Sequence, residues 1–131
     1  MKKDRVLNPA LIASIAAIGH TEYFVIADCG LPIPEGVPVI DLTLVRGIPK
    51  FTDTLRAVCD ELVVESYVLA SEMEVKSSAL YSETKSILQD KPNSVVPHEE
   101  FKKLTQKAKV IVRTGETTSY ANIILVAGVN F

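Results

Sequence analysis

The sequence has too few histidines and cysteines for a zinc centre and none of the glycine patterns that cradle phosphates. Two histidines, His20 and His98, and two cysteines, Cys29 and Cys59, occur among 131 residues. None stands at metal-ligand spacing, so no metal is expected. Both Gly-x-Gly-x-x-Gly and the P-loop are absent, which argues against a dinucleotide or a nucleoside triphosphate, and no cofactor is expected. Ser119 lies outside any Gly-x-Ser-x-Gly elbow, leaving a hydrolase triad without support. Fourteen basic residues against sixteen acidic ones give a formal charge of -2. Without a basic stripe to track a phosphate backbone, nucleic acid is not an expected partner.

Long hydrophobic runs are missing as well. Residues 9–18 are broken by Pro9 and Ser14 and lead to no cleavage-like site, and no other run approaches the roughly 20 residues that span a bilayer. A cytoplasmic protein with no membrane insertion is expected. Cys29 and Cys59 form no Cys-x-x-Cys pair and sit among apolar neighbours, which reads as two buried, reduced thiols.

What is present is ample apolar content. With 47% hydrophobic residues, residues 1–131 suit one domain with its own core. The mean hydropathy of +0.22 is high for so small a domain, whose surface fraction is large, and hints at self-association.

Asn8-Pro9 is a helix start, because Asn caps free N–H groups and Pro tolerates the first helical position. Leu11, Ile12, Ile15 and Ile18 fall on one face, and Gly19 is a plausible left-handed stop. Tyr23–Ala27 is apolar on both faces, as in a parallel strand covered on two sides, which puts Asp28 at its carboxyl end. Ligands of open α/β sheets collect at that edge. Gly30–Pro38 is a stiff, proline-rich loop leading to a short strand at Val39–Leu42. A helix carrying Phe51, Leu55, Val58 and Leu62 and a strand near Val63–Ala70 follow. Residues 76–90 read as one helix with an exposed face. After an extended piece at Val95-Val96, Pro97 opens a helix with His98 in its first turn and early acids that suit the dipole. Lys109–Arg113 and Ile123–Ala127 are the last strands, joined by Thr114–Asn122. Strands alternating with helices predict a single α/β layered domain.

The candidate functional residues gather in two polar clusters, Gly19-His20-Thr21 and Arg113–Asn122. An imidazole, the Asp28 carboxylate, the Tyr120 phenol and the Asn122 amide suit a small polyhydroxylated ligand and proton transfer near neutral pH. Asp28 has a second reading, as a cap for the Gly30 turn, and Asn122 as an ordinary turn residue. Lys102, beside Glu99, Glu100 and Lys103, reads equally as a solvated helix face.

In order and spacing, Leu7-Asn8, Gly19-His20-Thr21, Asp28-x-Gly-Leu-Pro32, His98-Glu-Glu-Phe-Lys102, Arg113-Thr-Gly-Glu116, Tyr120-Ala-Asn122 and Ala127-Gly-Val-x-Phe131 resemble the ribose pyranase and fucose mutarotase family nearly end to end. Gly30-Leu31-Pro32 favours the ribose branch, since fucose mutarotases usually carry Asn-Phe-Pro there. Ser119 departs from the proline that often precedes the tyrosine. The resemblance implies a single three-layer α/β domain with a mostly parallel central sheet covered by helices. It also implies cofactor-free interconversion of pyranose and furanose forms of D-ribose, with His20 as proton donor. Asp28, His98, Tyr120, Ala121 and Asn122 match its sugar-binding positions, and Lys102 is a further candidate for contact with substrate. A homodecamer of two stacked pentamers, with sites shared between neighbouring chains, is implied too. Two rival readings use the same residues: a non-catalytic sugar-binding module associated with ribose uptake, and an interaction protein whose polar loops merely cap the sheet.

Overall fold

A computed structural model describes residues 1–131. Its elements follow the chain as α1 (Pro9–Ala17), β1 (Tyr23–Ala27), β2 (Val39–Asp41), α2 (Phe51–Cys59), β3 (Val64–Ala70), α3 (Ser71–Lys76), α4 (Ser78–Leu88), β4 (Asn93–Val96), α5 (His98–Leu104), β5 (Ala108–Arg113) and β6 (Ile123–Ala127). The strands form one six-stranded sheet in the order β2-β5-β1-β6-β3-β4. The β2–β5, β5–β1 and β3–β4 pairings are parallel, whereas β6 runs antiparallel to both β1 and β3. The sheet is thus mostly parallel with one reversed strand at its centre. That reversal keeps the segment between β5 and β6 on the edge where the parallel strands end.

Alternation along the strands divides the core. Phe24 and Ile26 of β1 join Leu11, Ile15, Phe51, Leu55, Val58, Met73 and Leu88 from α1 to α4. Val25 and Ala27 face the other way, onto Leu31 of the proline-rich loop and Phe101 of α5. The expected three layers are therefore unequal, because the second face is covered by one short helix and a loop. At about 25 cal/mol per Å² of buried apolar surface, the large α1–α4 side dominates the stability.

Local signals explain the element ends and their departures from expectation. Asn8 Oδ1 accepts from Leu11 N at 2.9 Å and Pro9 opens α1, as its sequence predicts. Gly19 is not the left-handed stop. Ile18 ends the helix in extended conformation, and Thr21 takes the positive φ, at 68°. The Glu22 carboxylate makes the glycine turn unnecessary by accepting from Gly19 N at 2.7 Å. The helix expected over residues 76–90 is α4, a little shorter at both ends, and a short helix that was not expected, α3, precedes it across Ser77, whose φ of -141° breaks the helical path. The thiols differ from expectation as well, since Cys29 is exposed and only Cys59 is partly covered. Burial pushes the Cys59 thiol up to about 11, with the Asp60 charge adding to it. No helix is long and apolar enough to cross a membrane.

Candidate active site

The carboxyl end of β1 is tied to the β5–β6 connection by a dense set of bonds. Thr114, fully buried, donates both its N–H and its hydroxyl to the Ala27 carbonyl, at 2.9 and 2.8 Å. Cys29 N donates to Glu116 O at 2.9 Å. The loop after β2 is stitched to the same connection through Gly47 N to Gly115 O at 2.6 Å and Gly115 N to Pro49 O at 2.9 Å. A side chain at Gly115 would fall on the Ile48 backbone, so only glycine permits this approach.

Glu116 organises the loop from within. Burial alone would raise its pKa, but the Thr118 hydroxyl and the N–H groups of Thr118, Phe51 and Thr117 outweigh it and hold the carboxyl below its usual range. Its oxygens accept from Thr118 Oγ1 at 2.8 Å and from Phe51 N at 3.2 Å.

Asp28 is fixed from two sides. Oδ1 accepts from Gly30 N and Oδ2 from Asn122 Nδ2, each at 2.9 Å, while Asp28 N donates to Asn122 Oδ1 at 2.9 Å. Asp28 therefore caps its own turn while also bordering a cleft. Asn122 is 0% exposed, so its side chain acts by aiming Asp28 rather than by lining the cleft.

That cleft, about 430 Å³, is bounded by Asp28–Pro32, Arg46, His98 and Glu116–Tyr120, a volume within the range of small-molecule sites. The His98 and Tyr120 rings meet edge to face at 5.1 Å and 81°. Tyr120 is held at φ 61°, unusual for a bulky residue. Of the other expected residues, Ala121 is fully buried in the larger core, leaving only its backbone for ligand. Lys102 pairs with Glu99 at 2.7 Å and borders a shallower recess with Pro32 and Pro34. It lies outside the cleft. Glu116 lies in a cluster the sequence singled out but was given no role of its own, and Arg46 escaped the sequence reading, because a lone charge in a loop offers no signal. Arg46 is exposed at the cleft and forms no ion pair within the chain.

His20 is the main departure. It precedes β1 whereas Asp28 follows it, and five residues at about 3.3 Å each place the two at opposite edges of the sheet. Its neighbour Thr21 donates to the Ala127 carbonyl, at the far end of β6. The partner of His20 Nε2 is Glu65 Oε2 at 2.9 Å, not Asp28. Within one chain the imidazole and the cleft do not meet. Beside this edge runs an apolar groove lined by residues including Ile15, Ile18, Val63, Val129 and Phe131.

The fold recurs in known proteins. The model of the RbsD / FucU transport protein family matches residues 1–130. A D-ribose pyranase of Geobacillus thermodenitrificans is 52% identical, covering 100% of this chain and 99% of that protein. One from Laribacter hongkongensis is 49% identical with full coverage of both. The solved structure of Bacillus subtilis RbsD complexed with D-ribose superposes with a TM-score of 0.96 at 44% identity, covering 100% of each chain. A Streptococcus pneumoniae fucose mutarotase in complex with L-fucose shares the fold, with a TM-score of 0.81, 23% identity and 95% of each chain covered. The reversed β6, the tethered Thr114–Asn122 loop and the full-length likeness have one source: this chain belongs to the RbsD / FucU family.

Proposed function

We propose that this chain interconverts the pyranose and furanose forms of D-ribose. The observation that carries this reading is the convergence of Asp28, His98 and Tyr120 on one cleft of about 430 Å³ in a chain similar over its whole length to proteins named D-ribose pyranase. Ribose enters here because it is the ligand of the Bacillus subtilis neighbour.

The chemistry is ring opening and reclosure. A proton reaches the endocyclic oxygen while the anomeric hydroxyl loses one, the C1–O bond breaks, and the anomeric carbon becomes an aldehyde. A different hydroxyl then adds to that carbon and gives up its proton as the carbonyl oxygen gains one. General acid and base groups contribute about 10²–10⁴-fold each to such steps. Holding the open chain for reclosure is the task of Asp28, His98 and Tyr120, with the Ala121 backbone as a further contact, whereas Lys102, outside the cleft, has no part in it. Asn122 acts here through Asp28.

His20 is the proton donor, delivered by a second copy. Its distance from the cleft of its own chain, its exposure beside Glu65, and the apolar groove next to it support a site completed across a subunit boundary. The assembly is a homodecamer of two stacked pentamers, one 1–131 domain per subunit, acting in the cytoplasm.

The test is saturation-transfer NMR of ribose ring exchange. H20A is expected to lose exchange while still binding ribose, and D28N to lose both. Mixed H20A and D28N subunits regain a fraction of the exchange, because some boundaries then unite an intact His20 with an intact Asp28. No recovery overturns the shared site. A non-catalytic module remains the second reading, favoured by the "transport protein" wording of the matching family; ribose exchange no faster with wild type or H20A than in buffer, alongside intact binding, would establish it.

A further inference from the structure

Two side chains that do not line the cleft bond the backbone at the two aromatic rings that form its wall. Glu72, in the first turn of α3, accepts a hydrogen bond from His98 N at 2.9 Å. Ser77, buried at the α3–α4 break, donates its hydroxyl to the Ser119 carbonyl at 2.7 Å, directly before Tyr120. Neither residue lines the cleft. We propose that the α3–α4 junction is a positioning device, in which Glu72 sets His98 and Ser77 sets Tyr120 so that the rings meet edge to face in the wall of the sugar cleft. This rests on the ribose reading above.

The rings need such support. His98 Nδ1 is buried without a hydrogen-bond partner, so no bond of the imidazole itself fixes its direction. The ring direction is set by the backbone at the start of α5 and by packing between Tyr120 and Phe101, whose ring lies 6.3 Å away at 11°. Tyr120 is more demanding. Its φ of 61° is a conformation that a tyrosine does not choose locally, and persists only where neighbours over-determine it. The Asn122 N–H bond to the Tyr120 carbonyl, 2.8 Å, holds one side. The Ser77 bond to the preceding peptide holds the other.

The junction is itself anchored. Ser77 N donates to Met73 O at 2.9 Å, and Met73 is fully buried in the larger core. Glu72 and Ser77 flank that anchor five residues apart, so one rigid segment serves both rings. Because the rings touch, losing either support disturbs the same contact, and the two losses do not add.

The test compares E72A, E72Q, S77A and the double variant E72A/S77A with T84V. Thr84 is a buried hydroxyl of α4 bonded to Leu80 O that neither lines the cleft nor bonds the segments carrying the rings, which makes T84V a control for stability alone. In the ligand-free protein, NMR reads the His98 ring protons shielded by Tyr120. In the liganded protein, a ribose titration reads affinity. E72A and S77A are expected to move the His98 ring resonances and weaken ribose binding about five- to tenfold, the scale of one lost hydrogen bond, with the double variant weaker than wild type by less than the product. E72Q keeps an acceptor oxygen and restores both signals, whereas T84V lowers urea stability without moving either.

Unmoved ring resonances in E72A and S77A overturn the inference whatever ligand the cleft takes. So does a T84V that shifts them equally. Failure of the wild type to bind ribose, with the resonances shifted as expected, leaves the positioning role standing and defeats the ribose reading instead.

Discussion

Replacing Asn122 with Asp changes one buried NH2 into an oxygen and places a second carboxylate against Asp28. The partners lie 2.9 Å apart, and two unit charges at about 3 Å repel by about 5 kcal/mol at an effective dielectric of 20. Asp28 keeps part of its surface in water, which screens that figure to about 2–3 kcal/mol; the lost charge-assisted hydrogen bond adds about 1.5 kcal/mol. Asn122→Asp is therefore expected to cost about 4 kcal/mol at pH 7, and Asn122→Ala about 2–3 kcal/mol from the unpaired Asp28 N–H and the lost bond. The two differ in pH dependence. In the Asp variant a proton bridges the facing carboxyls as pH falls, so its deficit is greatest at neutral pH and shrinks toward pH 4, while the Ala deficit has no such relief. Urea unfolding at fixed protein concentration, at pH 7 and pH 4, measures both. An Asp variant no less stable than the Ala variant at pH 7, or one whose deficit grows on acidification, would refute the reasoning.

Glu116 gives a second pH signature. Its folded pKa is depressed, so it contributes stability above its unfolded value near 4.5 that is lost as pH falls through the folded pKa. Glu116→Gln is expected to be less stable than wild type at pH 7 and to converge with it in acid, read by urea midpoints across pH 7 to 3; a gap that widens in acid contradicts this. Gly115→Ala drives a methyl group into the Ile48 backbone and is expected to cost about 2–3 kcal/mol, with amide shifts spreading to Arg46. A loss under about 0.5 kcal/mol by urea unfolding would mean that the loop gives way easily.

Much of this fold is legible because its strands announce themselves locally. Tyr23–Ala27 and Ile123–Ala127 are bounded by polar turns on both sides and match their predicted spans. Direction is another matter, since five apolar residues carry no mark of which way they run in a sheet, and the reversal of β6 emerges only from its neighbours. The break at Ser77 is tertiary too, because the bond to the Ser119 carbonyl joins residues 42 apart. Asp28 was readable from its place after an apolar strand. The separation of His20 from Asp28 was also written in the order of the chain, one before β1 and one after, although their shared chemistry argued for proximity. Asn122 was legible as part of the site but not as a buried clamp, because burial of an amide depends on what closes over it.

Tyr120 carries an implication for anyone engineering this scaffold. A positive φ at a bulky residue costs on the order of 1 kcal/mol that asparagine or glycine would avoid. Selection for heat tolerance, or a consensus score blind to ligands, will favour those replacements at position 120. A substitution that relieves this backbone strain thus also removes a wall of the cleft, so libraries built for robustness should keep that codon fixed.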